Sequence, residues 1–224
     1  MQLLSAPGWL GVTSAALAVA GAIWGVVADR IATRWPEHDE EAGFHAGRKV
    51  DWRTVVVAVF GAVGLGVLPA IFDGDPLALA AFAAYVVVLV PLLATDLDQR
   101  LMPDLLTLPM IPLAFLFAIS GQNPLVGGGW ILALAAAVVI PAVLYVPSLL
   151  FGAGAFGLGD VKLLVTVGLM SGAYRALLGT VAGVFVGGIV IFVLLVLRRV
   201  SLTSYVPFGP FLILGALWAI VLRT

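Results

Sequence analysis

Residues 85–119 read YVVVLVPLLATDLDQRLMPDLLTLPMIPLAFLFAI, which is an apolar run, a short charged break and a second apolar run. Apolar runs that approach the length needed to cross a bilayer, about 20 residues, are typical of transmembrane α-helices. The break carries Asp96, Asp98 and Asp104, and Pro103 suits the first turn of a new helix. The stretch therefore predicts two membrane helices joined by a turn that holds three carboxylates.

The rest of the chain has the same apolar character. Of its 224 residues, 62% are hydrophobic and 10% are charged, whereas a soluble domain has roughly 45–50% apolar and about 25% charged residues. A transmembrane β-barrel would show alternating segments of about ten residues, so we predict an all-α, polytopic transmembrane helix bundle. The net charge of −1 argues against a nucleic-acid partner, and the absence of cysteine excludes disulfides and a cysteine-based zinc site.

About eight transmembrane helices are predicted from the apolar segments. They span residues 9–28, 54–72, 76–95, 104–120, 125–151, 161–171, 173–197 and 205–222. The sixth segment is short, and only the modest break MSGAYR at residues 170–175 separates it from the seventh. The N-terminus lacks the positively charged region of a cleaved signal peptide, so we expect the first segment to be retained as a helix.

The distribution of basic residues predicts the orientation of these helices. With the N-terminus outside, the cytoplasmic connections are residues 29–53, 96–103, 152–162 and 198–204, and they hold nine of the eleven Lys and Arg residues. This agrees with the positive-inside rule, so we expect both termini to lie outside.

The connection at residues 29–53 is the largest polar segment and contains both histidines. It also holds six of the twelve acidic residues, from Asp29 to Asp51. We expect a solvated cytoplasmic loop that is too short for a soluble domain. The spacing of His38 and His45 fits no strong metal-binding pattern, so no metal site is predicted.

The carboxylates at predicted helix ends differ in whether the helix dipole or solvent favours a charge at their position. Asp104 is favoured by the N-terminus of its helix, and Asp98 beside Arg100 is also consistent with a solvated loop charge. Asp96 directly follows a long apolar helix, where the helix dipole opposes a carboxylate. Asp96 therefore suits a group that holds or shares a proton.

A further carboxylate, Asp160, lies in the segment FGLGDVKLL at residues 156–164. Taken alone, it is consistent with a charge at a helix N-terminus that Lys162 balances. Gly157 and Gly159 beside it allow close contact with another backbone, such as that of a substrate.

The predicted topology places Asp96 and Asp160 on the same membrane face, two crossings apart. Two carboxylates in one site of low dielectric constant cannot readily both ionise, so the pair shares a proton. Such a pair hydrolyses peptides: one carboxylate deprotonates a water molecule while the protonated one polarises the scissile carbonyl. No nucleophilic Ser or Cys with a base partner is evident.

Three segments resemble the type IV prepilin peptidases, which are membrane aspartyl proteases with a GxGD motif. DLDQRLMPDLLTLP at residues 96–109 resembles the first catalytic segment of that family, and GLGDVKLL at residues 157–164 resembles the second. YVPFGPFLILGA at residues 205–216 resembles its C-terminal Pro-Phe-Gly-Pro element. The order and spacing of the three segments make the resemblance specific.

The resemblance implies an enzyme of the inner membrane that faces the cytoplasm and removes short basic leaders from prepilin or pseudopilin precursors. It implies that Asp96 and Asp160 are the catalytic pair. The residues it implies in substrate-binding or supporting roles are Asp98, Asp104, Gly157, Gly159, Lys162, Pro207 and Gly209.

The N-terminal part departs from that family, whose bifunctional members carry paired Cys-x-x-Cys motifs and methylate the new N-terminus with S-adenosylmethionine. Residues 21–37, GAIWGVVADRIATRWPE, keep only the outline of the family segment. We therefore divide the chain into residues 1–53, a reduced counterpart of the methyltransferase region, and residues 54–224, the peptidase bundle. Proteolysis needs no cofactor, and S-adenosylmethionine is expected only if methylation is retained.

Three alternatives remain open at this point. A presenilin-like intramembrane protease shares the GxGD loop, but it should carry a Tyr-Asp pair, whereas Thr95 precedes Asp96 here. A proton- or cation-coupled transporter would carry carboxylates near the bilayer midplane and an internal repeat, and neither is seen. A membrane scaffold with a vestigial aspartate pair is the third.

Overall fold

The structure is a computed structural model that describes residues 8–35, 49–151, 156–199 and 208–222, and every regular element in these ranges is an α-helix. The predicted all-α membrane class is confirmed. The chain divides into two compact units, Met1–Leu101 and Met102–Thr224. The division predicted at residue 53 concerns function and stays a prediction, because these units are defined by packing alone.

In its described residues, the first unit contains four helices. They are α1 (Gly8–Ala32), α2 (Trp52–Gly66), the short α3 (Leu68–Ile71) and α4 (Pro76–Gln99). Asp51 is the N-cap of α2, where its Oδ1 accepts hydrogen bonds from the backbone N–H groups of Arg53 and Thr54. Asp75 caps α4 in the same way through the N–H of Ala78. Both caps satisfy donors that a helix N-terminus leaves without partners.

Helices α1 and α2 meet at the level of their backbones. A Cβ atom on Gly21 would lie 2.1 Å from the carbonyl oxygen of Gly61, and one on Gly25 would lie 2.5 Å from that of Val57. Only glycine permits such an approach. Small residues at helix contacts are typical of membrane proteins, where close packing replaces the hydrophobic effect between helices.

Proline 91 lies inside α4 and fixes how this helix contacts α1. Because Pro91 has no N–H, the carbonyl of Val87 loses its partner within the helix. The indole N–H of Trp24 donates to that oxygen at 2.8 Å. A carbonyl at this depth needs a protein partner, since a bilayer core offers no water.

The described part of the second unit contains four further helices. They are α5 (Asp104–Ile119), α6 (Trp130–Phe151), α7 (Leu158–Val196) and α8 (Gly209–Val221). Helix α6 begins at Trp130, not at residue 125 as predicted, because Asn123 closes a turn before it. The Oδ1 of Asn123 accepts from the N–H of Leu125 at 3.0 Å, and its Nδ2 donates to the carbonyl of Met170 at 2.9 Å.

Helix α7 is broken at Gly172, whose φ of 74° and ψ of 167° fall in a region open essentially to glycine alone. An unbroken helix of 39 residues would be about 58 Å long at ~1.5 Å per residue, roughly twice the hydrocarbon core of a bilayer. The break predicted between the sixth and seventh segments is therefore confirmed at this residue.

The part of α7 that follows the break packs backbone to backbone against α8. A Cβ on Gly179 would lie 2.4 Å from the carbonyl oxygen of Gly215, and one on Gly183 would lie 2.5 Å from that of Phe211. Because the later position on α7 meets the earlier one on α8, the two helices are antiparallel.

Four helices in the described residues are long and apolar enough to cross a membrane. They are Leu10–Ala32, Trp52–Ile71, Pro76–Gln99 and Leu158–Val196. Shorter apolar helices are Asp104–Ile119, Trp130–Val146 and Gly209–Val221. Two further predicted bounds need correction, because the first segment continues past Ala28 and the third past Thr95. Asp29 and Asp96 consequently lie within helices.

Candidate active site

Asp96 lies in the last turn of α4 and is buried, with 6% of its surface exposed. The seven residues before it, from Leu89 to Thr95, are buried as well. The helix ends at Gln99, because Arg100 adopts a left-handed conformation with φ of 58° and its N–H donates to the carbonyl of Asp96 at 3.0 Å. The carboxylate is thus held at a buried helix end rather than in a connecting loop.

Asp98 lies in the same turn and is not the solvated loop charge considered from the sequence. Its Oδ1 accepts a hydrogen bond from Nη1 of Arg53 at 2.6 Å, and 12% of its side chain is exposed. The neighbouring Gln99 donates through Nε2 to the carbonyl of Ala32 at 2.5 Å. The turn that carries Asp96 is therefore bonded to both α2 and α1.

Asp29 is a buried residue that the sequence reasoning assigned to a solvated loop. Its side chain is 1% exposed, and its Oδ2 accepts a hydrogen bond from Oγ1 of Thr54 at 2.7 Å. The same oxygen lies 3.6 Å from Nη2 of Arg30, with which it forms an ion pair. The helical period of small buried residues could have revealed this, since it continues past the predicted helix end. Those residues are Gly21, Gly25, Ala28 and Ala32.

Asp160 lies in the first turn of α7, where its Oδ2 accepts a hydrogen bond from the backbone N–H of Gly157 at 3.0 Å. This bond is the side chain-to-N-cap half of a capping box, and the helix N-terminus favours the carboxylate there. The side chain is partly exposed. Asp160 is therefore oriented by its own backbone, and part of its surface stays accessible.

The glycine before Asp160 makes a close packing contact. A Cβ on Gly159 would lie 2.9 Å from Cβ of Met102, whereas one on Gly157 would have nothing nearer than the Asp160 carboxylate at 3.7 Å. Met102 thus occupies part of the space that the sequence reasoning reserved for a substrate backbone at Gly159.

Lys162 does not balance Asp160, which corrects that reading of the motif. Its Nζ lies 2.5 Å from Oδ1 of Asp104, the first residue of α5. The Asp104 side chain is 62% exposed. The ion pair therefore joins the N-termini of α5 and α7 near the surface.

The C-terminal element also contacts the residues that precede Asp160. Gly209 is the buried first residue of α8, and Pro207 lies outside the described residues. The ring of Phe208 contacts that of Phe156 with 5.6 Å between centroids. All three segments that carried the family resemblance are thus represented around the start of α7.

In the described part of the chain, no group of three His, Asp or Glu side chains lies close enough to hold a metal ion. His38 and His45 lie outside that part. The predictions that proteolysis needs no metal and no cofactor stay predictions.

Together these features define a polytopic helical membrane protein with aspartates at several helix ends, Asp96 on α4 and Asp160 on α7 among them. The sequence pattern of the type IV leader peptidase family matches residues 83–196, more than half of the chain. The protein therefore belongs to the type IV leader peptidase family. Asp96, Asp98, Asp104 and the GxGD segment lie inside the matched region, whereas Pro207 and Gly209 lie beyond it.

Curated relatives give the same assignment. The prepilin leader peptidase/N-methyltransferase of Aeromonas hydrophila is 36% identical over 130 residues, which cover 56% of this chain and 43% of that protein. The protein of the same description from Burkholderia pseudomallei strain K96243 is 32% identical over 159 residues, or 69% of this chain and 50% of the relative. The matches thus span half or less of these relatives. No solved structure matches the chain.

Proposed function

We propose that this protein is a membrane aspartyl endopeptidase that removes the short basic leader from type IV prepilin or pseudopilin-like precursors. One observation carries the proposal: the family match at residues 83–196 includes both Asp96 and Asp160. The match does not favour a transporter.

In the proposed mechanism, the two carboxylates act on the same scissile bond and share one proton. The ionised carboxylate accepts a proton from water as the water oxygen attacks the carbonyl carbon. The protonated carboxylate donates a hydrogen bond to the carbonyl oxygen and stabilises the charge that develops there. Transfer of a proton to the amide nitrogen then lets the C–N bond break, which releases the leader.

The proposed location is the inner membrane, with the active site on the cytoplasmic side and both termini outside. The positive-inside distribution supports this, because nine of the eleven basic residues fall in the connections assigned to the cytoplasm. The apolar N-terminal helix of a precursor would approach through the lipid bilayer, and its leader would remain on the cytoplasmic side. No nucleic-acid partner is proposed.

Methylation of the new N-terminus is a separate activity, for which this chain offers little support. The chain has no cysteine, and residues 1–53 keep only an outline of the corresponding family segment. S-adenosylmethionine is therefore a cofactor only if methylation is retained, and cleavage proceeds without it.

Co-expression with a prepilin precursor tests the proposal. The wild-type protein should remove the leader, seen as a shift in mobility and as the N-terminal mass of the product, and that mass also reports methylation. Asp96→Asn and Asp160→Asn should each abolish cleavage at unchanged protein level. Asp73→Asn is the matched control, because Asp73 is exposed in the turn at the other end of α4. Full processing by either active-site variant would overturn the proposed pair.

A further inference from the structure

Side-chain hydrogen bonds tie the ends of three helices in the first unit into a closed loop. Thr54 of α2 donates to Asp29 of α1 at 2.7 Å, and Arg53 of α2 donates to Asp98 of α4 at 2.6 Å. Gln99 of α4 donates back to the last residue of α1, at the carbonyl of Ala32. We call this set, Asp29, Arg53, Thr54, Asp98 and Gln99, the helix-end clasp.

The helix-end clasp holds the turn that carries Asp96 through hydrogen bonds. Asp98 and Gln99 follow Asp96 by two and three residues, and they bond to two different helices. A helix's last turn contains carbonyls without intrahelical partners and frays easily. Anchors on α1 and α2 therefore limit both rotation and fraying of this turn.

Helix stability does not explain the charges in the clasp. Arg53 lies in the first turn of α2 and Asp98 in the last turn of α4. The helix dipole disfavours a cation at an N-terminus and an anion at a C-terminus, so both residues occupy the unfavourable end. The exchanged arrangement would suit both helices better. Because both helix dipoles disfavour the Arg53–Asp98 pair, we infer that its role is to connect α2 to the turn that carries Asp96 and not to stabilise either helix.

The buried end of the clasp is polar where apolar packing would suffice to hold helices together. Asp29 is 1% exposed and is satisfied by Thr54, which also accepts from Nη2 of Arg30 at 3.3 Å. Directional bonds fix one rotation of α1 against α2, which apolar contact alone does not. Thr54 is also part of the α2 capping box, so the orientation of Asp29 is coupled to the helix start that carries Arg53.

We propose that the helix-end clasp holds the last turn of α4 in the geometry that cleavage requires, with Arg53 and Gln99 as positioning residues for Asp96. This rests on the proposed function. Asp98, to which the family resemblance gives a substrate-binding or supporting role, then acts through Arg53 and not on the substrate. Helix α1, which lies in the part of the chain interpreted from the sequence as a reduced methyltransferase region, then serves the peptidase site together with α2.

The test compares Arg53→Met, which removes the charge and keeps an apolar stem, with Arg53→Lys, which restores the cation. Cleavage of a purified prepilin precursor is followed with the full-length protein in liposomes. Arg53→Met should lower kcat by about 10-fold to 100-fold, since misplacement by about 1 Å has effects of this size. KM should change little and Arg53→Lys should recover most of kcat. Gln99→Ala should also lower kcat, and exposed Arg199→Met is the matched control.

Hydrogen exchange provides a readout that does not depend on catalysis. Backbone amides at the end of α4 should exchange faster in Arg53→Met and Gln99→Ala than in the wild type, while those of α7 stay unchanged. An active wild type with unchanged kcat in Arg53→Met and Gln99→Ala would overturn the positioning role alone. Equal losses in Arg53→Met and Arg53→Lys, with no faster exchange in α4, would also overturn it. A wild type that leaves the precursor intact would overturn the proposed function and the positioning role together.

Discussion

The two aspartate-bearing turns are constructed in opposite ways. Asp96 is buried in the last turn of α4, whereas Asp160 is partly exposed in the first turn of α7. The helix dipole opposes an anion at the first position and favours one at the second. Asp160 is oriented by a bond to its own backbone at Gly157, while the turn of Asp96 is held by side chains from two other helices. The comparison teaches that two residues of the same type can be held in position by different means, Asp160 by its own helix and Asp96 by neighbouring helices.

The residue two positions after each aspartate forms an ion pair, and the pair near Asp96 is more buried than the pair near Asp160. The pair of Asp98 with Arg53 is mostly buried, and the pair of Lys162 with Asp104 is largely exposed at its acidic partner. Exposed ion pairs contribute about 0–1 kcal/mol because water and salt screen them. We therefore expect the first pair to matter much more than the second.

Among changes that leave both aspartates in place, a large effect is expected at the Asp160 turn. Gly159→Ala should lower the cleavage rate by about 10-fold to 100-fold, since its Cβ would push against Met102 and shift the turn by a fraction of an ångström. Gly157→Ala adds only an ordinary contact and should retain more activity. The measurement is kcat for each variant with one precursor. Equal losses in both would indicate that the glycines serve a substrate backbone instead of packing within the second unit.

A stability change of about 1–3 kcal/mol is expected for Gly172→Ala, because the alanine would be forced into a backbone region open essentially to glycine. The expected result is a lower midpoint of thermal unfolding in detergent. Gly188→Ala, with nothing near its Cβ, is the control and should be neutral or stabilising by up to about 1 kcal/mol. Unchanged stability of Gly172→Ala would contradict the broken helix.

In the first unit, Gly61→Ala should destabilise by about 1–3 kcal/mol, a typical cost of overpacking. Its Cβ would lie 2.2 Å from the carbonyl oxygen of Gly21, so α1 and α2 would have to separate. Gly11→Ala has open space and should leave the unfolding midpoint unchanged. If Gly61→Ala leaves the unfolding midpoint unchanged but lowers the cleavage rate, the α1–α2 contact affects the site without affecting stability.

The smallest expected effect concerns the exposed ion pair. Lys162→Met should cost less than about 1 kcal/mol of stability, because Asp104 remains solvated without it. Its loss of kcat should be smaller than that of Arg53→Met, measured in the same assay. A larger loss in Lys162→Met would reverse the comparison between the two turns.

Apolar run lengths predicted the helices well, because membrane helices must satisfy their backbone groups internally and their length follows the bilayer. The break near residue 171 was also predicted, although only the segment MSGAYR at residues 170–175 marks it. Helix ends were less certain: charged residues after Ala28 and Thr95 resembled loops, yet both helices continue by about one turn.

The contacts around the aspartates could not be predicted. Arg53 and Asp98 are 45 positions apart, and Thr54 and Asp29 are 25 apart. Which side chains meet depends on how each helix is rotated about its axis and where two helices cross, and an almost uniformly apolar sequence specifies neither. The pairing of Lys162 with Asp104 instead of Asp160 has the same origin.

The central claim is the proposed action of Asp96 and Asp160 as one catalytic pair, and cysteine cross-linking tests it most directly because the chain has no cysteine of its own. A variant with both Asp96→Cys and Asp160→Cys, kept in its membrane, is treated with a short bifunctional thiol reagent. The reference variant combines Asp73→Cys with Asp160→Cys. We predict rapid cross-linking in the first variant and none in the second, detected as a single linked peptide by mass spectrometry. Failure of the first variant to cross-link, with both thiols shown to be reactive, would contradict the aspartate pair.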